Sequence, residues 1–178
     1  AASGGTLLSL DTAYTGSRNE YYARWTENPA LTGTATITGT AVSWNNANNA
    51  EYRLYDDSTS DADIKADMKL ASPAKALAYT ATKGGITANA DGKRYDQTFS
   101  FSAVLAGTYK LAIFKPDKYV PKIVPITVES TALDLGQLKL WLYGDVTYDG
   151  KVSVIDATQT QRYAAGKSSK FTEGTLQD

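Results

Sequence analysis

The residues best suited to chemistry lie in one stretch near the C-terminal end of the chain, residues 145–156. Asp145, Asp149 and Asp156 stand at positions 1, 5 and 12 of this stretch, and Gly150 stands at position 6. Carboxylates at these positions, with a glycine that permits a sharp turn, form the pattern of a twelve-residue loop that binds Ca²⁺. The sequence therefore predicts an EF-hand-like calcium loop here.

Other positions of the loop offer oxygen donors of different kinds. Thr147 at position 3 provides a hydroxyl where Asp or Asn is usual, and Lys151 at position 7 provides its backbone carbonyl. Ser153 at position 9 can bind directly or through a water molecule, and the short side chain of Asp156 makes bidentate closure harder than Glu would. The alternative interpretation is a solvated acidic turn. We expect Ca²⁺ as the cofactor, with Asp145, Thr147, Asp149, Lys151, Ser153 and Asp156 as its ligands.

Composition removes several function classes. The chain has no cysteine and no histidine, which excludes disulfides, thiolate chemistry, Ser-His-Asp catalysis and metal sites built on Cys or His. A formal net charge of −1 gives no basic excess for nucleic acid, and no apolar run approaches the ~18 residues of a membrane span. No pair of carboxylates stands out for glycoside hydrolysis. We therefore expect a protein that is not an enzyme.

The elements that must position the loop are strands. From residue 33 onward apolar residues alternate with polar ones in short runs separated by turn residues. Pro125 indicates an edge strand, and a change of phase at Gly136 indicates a bulge. Residues 56–71 predict a loop with a helical turn over 62–70, and the acidic run 56–67 within it could alternatively form a second calcium site. Strands are expected near 35–44, 52–55, 77–82, 95–103, 109–114, 124–128 and 133–142.

These patterns predict a mainly β chain. We expect an antiparallel Greek-key β-sandwich over 33–142, followed over 143–178 by the EF-hand-like calcium loop and one short α-helix. Residues 1–32 are expected to pack on the sandwich. The three tryptophans could form a sugar-binding platform or serve as packing residues, and Trp141 is expected at the joint between the sandwich and the loop.

The sandwich region resembles a known family. Residues 99–111 (FSFSAVLAGTYKL), 115–121 (KPDKYVP) and 126–128 (ITV) are similar to a stretch of carboxypeptidase-regulatory-like β-sandwiches. In bacterial extracellular proteins, modules of this kind often stand directly before a dockerin. The resemblance implies a prealbumin-like sandwich without catalytic activity, acting as an X-type module.

The calcium loop resembles the first repeat of a dockerin. The resemblance rests on Asp at position 12, on Gly144 before the loop, and on the helical stretch 157–166 directly after it. Dockerins contain two such repeats, and residues 167–178 resemble the linker between them. The family contacts cohesins through loop positions 10 and 11 and through the following helix. These positions correspond here to Val154, Ile155, Gln161 and Arg162.

Together, the two resemblances imply a non-catalytic segment for cellulosome assembly. It would bind the cohesin module of a scaffoldin in a calcium-dependent manner, in a secreted or cell-surface protein of a bacterium. The apolar Val154 and Ile155 would require an apolar patch on that cohesin. The alternative function is a carbohydrate-binding module with a structural calcium loop, in which aromatic residues exposed on one sheet face would bind a polysaccharide.

Overall fold

The computed structural model describes residues 33–44, 50–115 and 118–169. The described residues form mainly strands, as predicted, and neither of their helices is long and apolar enough to span a membrane. The predicted segment 1–32 and the end of the tail lie outside the described residues. In chain order the elements are β1 (Thr34–Ser43), β2 (Glu51–Asp56), α1 (Asp61–Asp67), β3 (Thr82–Ala88), β4 (Tyr95–Leu105), β5 (Gly107–Phe114), β6 (Lys122–Val128), β7 (Leu133–Lys139) and α2 (Val154–Ala164).

The strands form two sheets. The larger sheet has the order β3-β4-β1-β7, and the smaller sheet has the order β2-β5-β6. All neighbouring pairs are antiparallel except β1 and β7, which are parallel. This pair corrects the expectation of an entirely antiparallel sandwich. Because β6 belongs to the smaller sheet, the chain crosses to the larger sheet before β7. Strand β7 then pairs with β1, to which it is not connected by a hairpin, so the pair can be parallel.

Alternation of apolar and polar residues places one hydrophobic core between the sheets. Ile37 and Phe101 of the larger sheet and Leu54 and Leu111 of the smaller sheet are fully buried and belong to the same cluster. Burial of apolar surface at about 25 cal/mol per Å² is the main favourable contribution to such a core. The two sheets therefore pack face to face as a β-sandwich.

Two irregular positions agree with the sequence. Pro125 lies in β6, an edge strand of the smaller sheet, where its missing N–H removes no bond from a central ladder. Gly136 has a φ of +62° and lies where the pairing of β1 with β7 shifts its register. The predicted change of phase at this glycine is therefore confirmed.

The expected strand over 77–82 is misplaced. The observed strand β3 starts at Thr82 and passes through Gly84 and Gly85, a glycine pair of the kind that is common in turns. Its pairing with β4 shifts register between Lys83 and Ile86. The glycines thus belong to an irregularity within a strand. A glycine pair alone does not show whether the chain bulges within a strand or reverses direction in a turn.

Helix α1 confirms the helical turn expected within the acidic stretch. It begins after Ser60, whose Oγ accepts a hydrogen bond of 3.1 Å from the backbone N–H of Asp63. On its other side Ile64 and Met68 are buried against Tyr55 of the smaller sheet. The stretch is therefore held to the sandwich by apolar contacts as well as by its cap.

The last residue of α1, Asp67, is a buried carboxylate that anchors the following loop. Its Oδ1 accepts hydrogen bonds from the backbone N–H groups of Ala74 (2.7 Å) and Lys75 (3.1 Å), and its Oδ2 accepts one from the Tyr55 hydroxyl (3.0 Å). Burial by itself would raise the pKa of Asp67, but these bonds outweigh it and the pKa lies below its ordinary value.

Replacement of this carboxylate tests its anchoring role. We expect Asp67→Ala to lower the free energy of unfolding by about 3 kcal/mol at pH 7, because three donors lose their acceptor. Since the folded-state pKa is lowered, the contribution is complete above the ordinary carboxyl pKa of about 3.9 and is lost as the pH falls through the folded-state pKa. Urea unfolding across this pH range should show that the difference in free energy of unfolding between wild type and variant becomes smaller as the pH falls.

The matched control is Asp57→Ala, which removes an exposed aspartate from the same acidic stretch. It should change the free energy of unfolding by less than about 0.5 kcal/mol. An equal loss in both variants, or a gap that stays constant with pH, would show that Asp67 has no special role.

Candidate functional site

The segment between β7 and the acidic loop lies against the sandwich through backbone hydrogen bonds. The N–H of Leu140 donates to the carbonyl of Val42 (2.9 Å), and the N–H of Tyr143 donates to the carbonyl of Lys118 (2.8 Å). Gly144, with a φ of +83°, then turns the chain into the loop. The first loop residue is thus positioned by the main chain of the sandwich.

Three aromatic residues, Trp44, Trp141 and Tyr148, form an aromatic joint between the sandwich and the loop. The ring of Tyr148 lies 5.3 Å from that of Trp44 and 4.1 Å from that of Trp141, measured between centroids. Gly150 lies against the indole of Trp44. A Cβ on this glycine would be only 2.6 Å from a Trp44 ring carbon. The expected position of Trp141 at the joint is confirmed, and Trp44 and Trp141 both serve as packing residues there.

The aromatic joint buries two polar atoms without giving them a hydrogen-bond partner. Among the described residues, Trp44 Nε1 and Tyr148 Oη are the buried side-chain polar atoms without a hydrogen-bond partner. Burial raises the pKa of Tyr148 to about 12, so that its hydroxyl is neutral at physiological pH. The contribution of this side chain to the joint therefore comes from its ring.

Asp145, at position 1, folds the loop around its carboxylate. The side chain is 1% exposed, and its two oxygens accept hydrogen bonds from the backbone N–H groups of Asp149 (3.1 Å) and Gly150 (2.8 Å). Burial raises the pKa of Asp145, and although the two N–H groups oppose this, repulsion from the carboxylates of Asp149 and Asp156 adds to it.

Asp156, at position 12, closes the loop from the helix side. It is 2% exposed, and its Oδ1 accepts from the hydroxyl (2.9 Å) and the N–H (3.2 Å) of Thr147. Its Oδ2 accepts from the N–H (2.8 Å) and the hydroxyl (3.0 Å) of Ser153, the N-cap of α2, which completes a capping box. Burial would raise the pKa of Asp156, but these four bonds outweigh it and lower the pKa.

Most of the predicted ligands are linked by hydrogen bonds into one network. Their oxygen atoms are not, however, arranged around a common centre. No three carboxylates in the described part of the chain are grouped closely enough to hold a metal ion. Asp149 is exposed and accepts a bond of 2.9 Å from the N–H of Lys151, while the hydroxyls of Thr147 and Ser153 donate to Asp156. Thr147, predicted as a ligand, thus donates a hydrogen bond to Asp156, another residue of the predicted ligand set.

The chemistry of the network nevertheless suits a cation. Asp145 and Asp156 are both buried, and no ion pair formed among the described residues involves either of them or Asp149. Their hydrogen-bond donors are neutral hydroxyl and N–H groups, and within the described part of the chain the negative charge has no basic partner. Oxygen donors of this kind are those that Ca²⁺ prefers.

Helix α2 leaves its apolar residues in solvent. Val154 is 78% exposed and Ile155 is 55% exposed, and the only residue that the helix buries is Asp156. Both of these predicted partner-binding residues are therefore accessible. A helix that packs no apolar face onto its own domain is unusual for a globular protein.

The other predicted contact residues, Gln161 and Arg162, are also exposed on α2. Arg162 Nε donates a hydrogen bond of 2.7 Å to the carbonyl of Ser168, so that its side chain lies along the chain that follows the helix. Val152, at position 8 of the loop, was expected from the sequence to contact the core, but it is 66% exposed next to the helix start. Its place in the exposed surface was thus missed, although its apolar character close to Val154 and Ile155 was the available signal.

Comparison of this chain with protein-family models, with curated proteins and with solved structures gives no match. The dockerin and X-module resemblances therefore rest on the residues of this chain alone. They stay predictions, to be judged by the chemistry of the loop and the exposure of α2.

The unpaired hydroxyl of the aromatic joint leads to a clear expectation. Tyr148→Phe should leave the free energy of unfolding unchanged or raise it by up to about 1 kcal/mol, because the removed hydroxyl is buried without a partner. Tyr148→Ala should lower it by about 3 kcal/mol, because the ring contacts with both tryptophans are lost. Urea unfolding followed by tryptophan fluorescence measures both effects.

Tyr143→Ala is the control for general effects of tyrosine removal, since Tyr143 is exposed close to the same loop. It should change the free energy of unfolding by less than about 0.5 kcal/mol. A loss of more than about 1 kcal/mol in Tyr148→Phe would mean that the hydroxyl has a stabilising partner.

Proposed function

We propose that the loop and helix of residues 143–169 form a calcium-dependent docking element for the cohesin module of a scaffoldin. The preceding β-sandwich, with the Greek-key connectivity expected from the sequence, is its non-catalytic supporting module. One observation carries this proposal: α2 exposes Val154 and Ile155, and its only buried residue, Asp156, belongs to the acidic loop. The implied setting is a secreted or cell-surface bacterial protein.

In this proposal the calcium ligands are drawn from the predicted set. Asp145, Asp149 and Asp156 provide carboxylates, and the Lys151 carbonyl and the Ser153 hydroxyl provide neutral oxygens. When bound, the ion supplies the positive charge that these carboxylates lack. The buried Asp145, whose backbone bonds form the turn at Gly150, is the residue on which the loop depends most.

Asp156 connects the state of the loop to the helix. Its Oδ2 completes the capping box with Ser153, and its Oδ1 holds Thr147 on the other side of the loop. An orphan N–H at the start of a helix costs free energy when its cap is lost, typically about 1 kcal/mol. Whatever fixes Asp156 therefore also fixes the position from which α2 starts, and with it the exposed Val154 and Ile155.

The exposed side chains define the kind of partner. Val154 and Ile155, with Val152 beside them, would bury apolar surface against an apolar patch of the cohesin, and Gln161 and Arg162 would add polar contacts. Apolar contacts at the centre of an interface, rather than charges at its rim, contribute most of the binding energy. Affinity should therefore depend mainly on the two residues at the start of the helix.

Calcium binding is tested by calorimetry and thermal unfolding. Ca²⁺ should raise the melting temperature of the wild type and chelator should reverse the shift, since a ligand at about 100 times its Kd stabilises by about 2.7 kcal/mol. Asp145→Asn and Asp156→Asn should abolish the calcium heat signal and the shift. Asp57→Asn, which alters an exposed aspartate outside the loop, should keep both. If Ca²⁺ does not raise the melting temperature of the wild type, the calcium site is refuted.

Partner binding is tested with the whole chain on immobilised cohesin modules. Val154→Lys combined with Ile155→Lys should weaken binding by at least about 100-fold, because two apolar contacts are replaced by charges, while calcium binding is kept. Thr160→Lys, an exposed position on the other side of α2, should bind like the wild type. Cohesin affinity that does not change on addition of chelator would contradict the proposal.

A further inference from the structure

The outer face of the larger sheet contains a groove that the docking element does not use. It has a volume of about 460 Å³ and is lined by residues of β1, β3, β4 and β7. The lining side chains are mostly hydroxyls, and they point away from the core because they alternate with buried residues along the strands. The groove is thus a feature of the sheet itself and does not depend on a loop.

Strand register aligns these hydroxyl residues across the sheet. Thr82 pairs with Ser100, Ser100 with Thr38, and Thr38 with Asp134, which forms one polar row over all four strands. In a second row beside it, Thr40 of β1 pairs with Thr98 of β4. Neighbouring side chains in such rows are about 5 Å apart, which is the spacing at which one ligand can bridge several of them.

Two irregularities enclose the groove. The pairing of β1 with β7 shifts register between Thr38 and Thr40, and that of β3 with β4 shifts between Lys83 and Ile86. Gly84 leaves room for the side chain of Thr98. A Cβ at this glycine would collide with Thr98 Oγ1. Bulges of this kind are common next to binding sites, where they redirect side chains.

The hydroxyls are available to a ligand. Among the described residues, those of Thr40, Thr82, Thr98 and Ser100 form no hydrogen bond with the protein, whereas Thr38 donates to Asp134 Oδ1 at 3.3 Å. A hydroxyl both donates and accepts, so it is matched best by ligand groups that also do both. Ligand hydroxyl groups meet this requirement.

The charges around the groove do not favour an ionic ligand. Lys83 Nζ is paired with Glu51 Oε1 at 2.8 Å, and Asp134 already accepts bonds from Thr38 and from the N–H of Gly136. A peptide strand does not suit the groove either, because β1 and β4 at its centre are paired on both sides and offer no free backbone groups to an added strand. The remaining ligand class is neutral and rich in hydroxyls.

We propose that this hydroxyl-lined groove on β1, β3 and β4 binds a short stretch of a neutral oligosaccharide. Among the described residues that line it, the only aromatic one, Phe99, is buried on the core side and offers no stacking surface. Binding therefore depends on hydrogen bonds, and we expect it to be weak, with a Kd of about 1 mM. The site is independent of the calcium loop and of the proposed cohesin contact.

The experiment is an amide NMR titration of the whole chain with cellohexaose, xylohexaose and mannohexaose, with polygalacturonate as the charged probe. At least one neutral oligosaccharide should shift the amide signals of Thr40, Gly84 and Ser100 in a saturable manner. No localised shift at ~20 mM of any neutral oligosaccharide, or shifts with polygalacturonate alone, would overturn the proposal.

Variants assign the binding to the groove. Thr98→Val together with Ser100→Ala removes two hydroxyls and should weaken binding by about tenfold or more. The control is Thr36→Val with Ser102→Ala, which removes exposed hydroxyls of β1 and β4 outside the groove and should bind like the wild type. Equal losses in both pairs, with thermal unfolding showing folded protein, would overturn the assignment.

Asp145→Asn separates this proposal from the docking proposal. The substitution lies in the calcium loop and should leave the oligosaccharide shifts unchanged, since no loop residue lines the groove. If the wild type shows no calcium binding but still binds saccharide, only the docking function is refuted. Loss of saccharide binding in a folded Asp145→Asn variant would contradict an independent groove.

Discussion

The ring of Tyr148 between Trp44 and Trp141 is the contact that joins the acidic loop to the sandwich. Trp44 directly follows β1, and Trp141 follows β7, so that two neighbouring strands of the larger sheet hold the same loop residue. Gly150 fits beneath the Trp44 indole because it has no side chain. The order of the loop is therefore imposed by a sheet, which reduces the conformational entropy that a free acidic loop would lose on binding an ion.

Beyond this joint, the connection between the loop and α2 depends on Asp156. An isolated helix of the length of α2 is marginal in water, and α2 gains no stability from burying an apolar face. Its capping box uses Asp156, the same carboxylate that binds Thr147 across the loop. Loop and helix thus share one residue, and this is the physical reason why a change in the loop would reach the exposed surface of α2.

Sequence patterns predicted those features that depend on local residue choice. Alternation located most strands, Pro125 marked an edge, Gly136 marked a register shift, and the aspartate spacing marked a loop centred on Asp145 and Asp156. Features that depend on distant partners could not be predicted. Alternation does not reveal that β7 runs parallel to β1, and no local signal brings Trp44 to Gly150. Hydrogen-bond direction is equally hidden, since no local pattern shows that the Thr147 hydroxyl donates to the carboxylate of Asp156.

The strand β1 supports both proposed surfaces, yet it should not couple them. Its central residues Thr38 and Thr40 line the groove, and Trp44 beyond its end contacts the loop. Because β1 is paired on both sides, with β4 and with β7, a ligand in the groove meets a backbone that is already fixed in its ladders. Coupling between two sites requires an element with two alternative arrangements, and a central strand provides none. The oligosaccharide groove and the docking helix are therefore expected to bind their partners at the same time and with independent affinities.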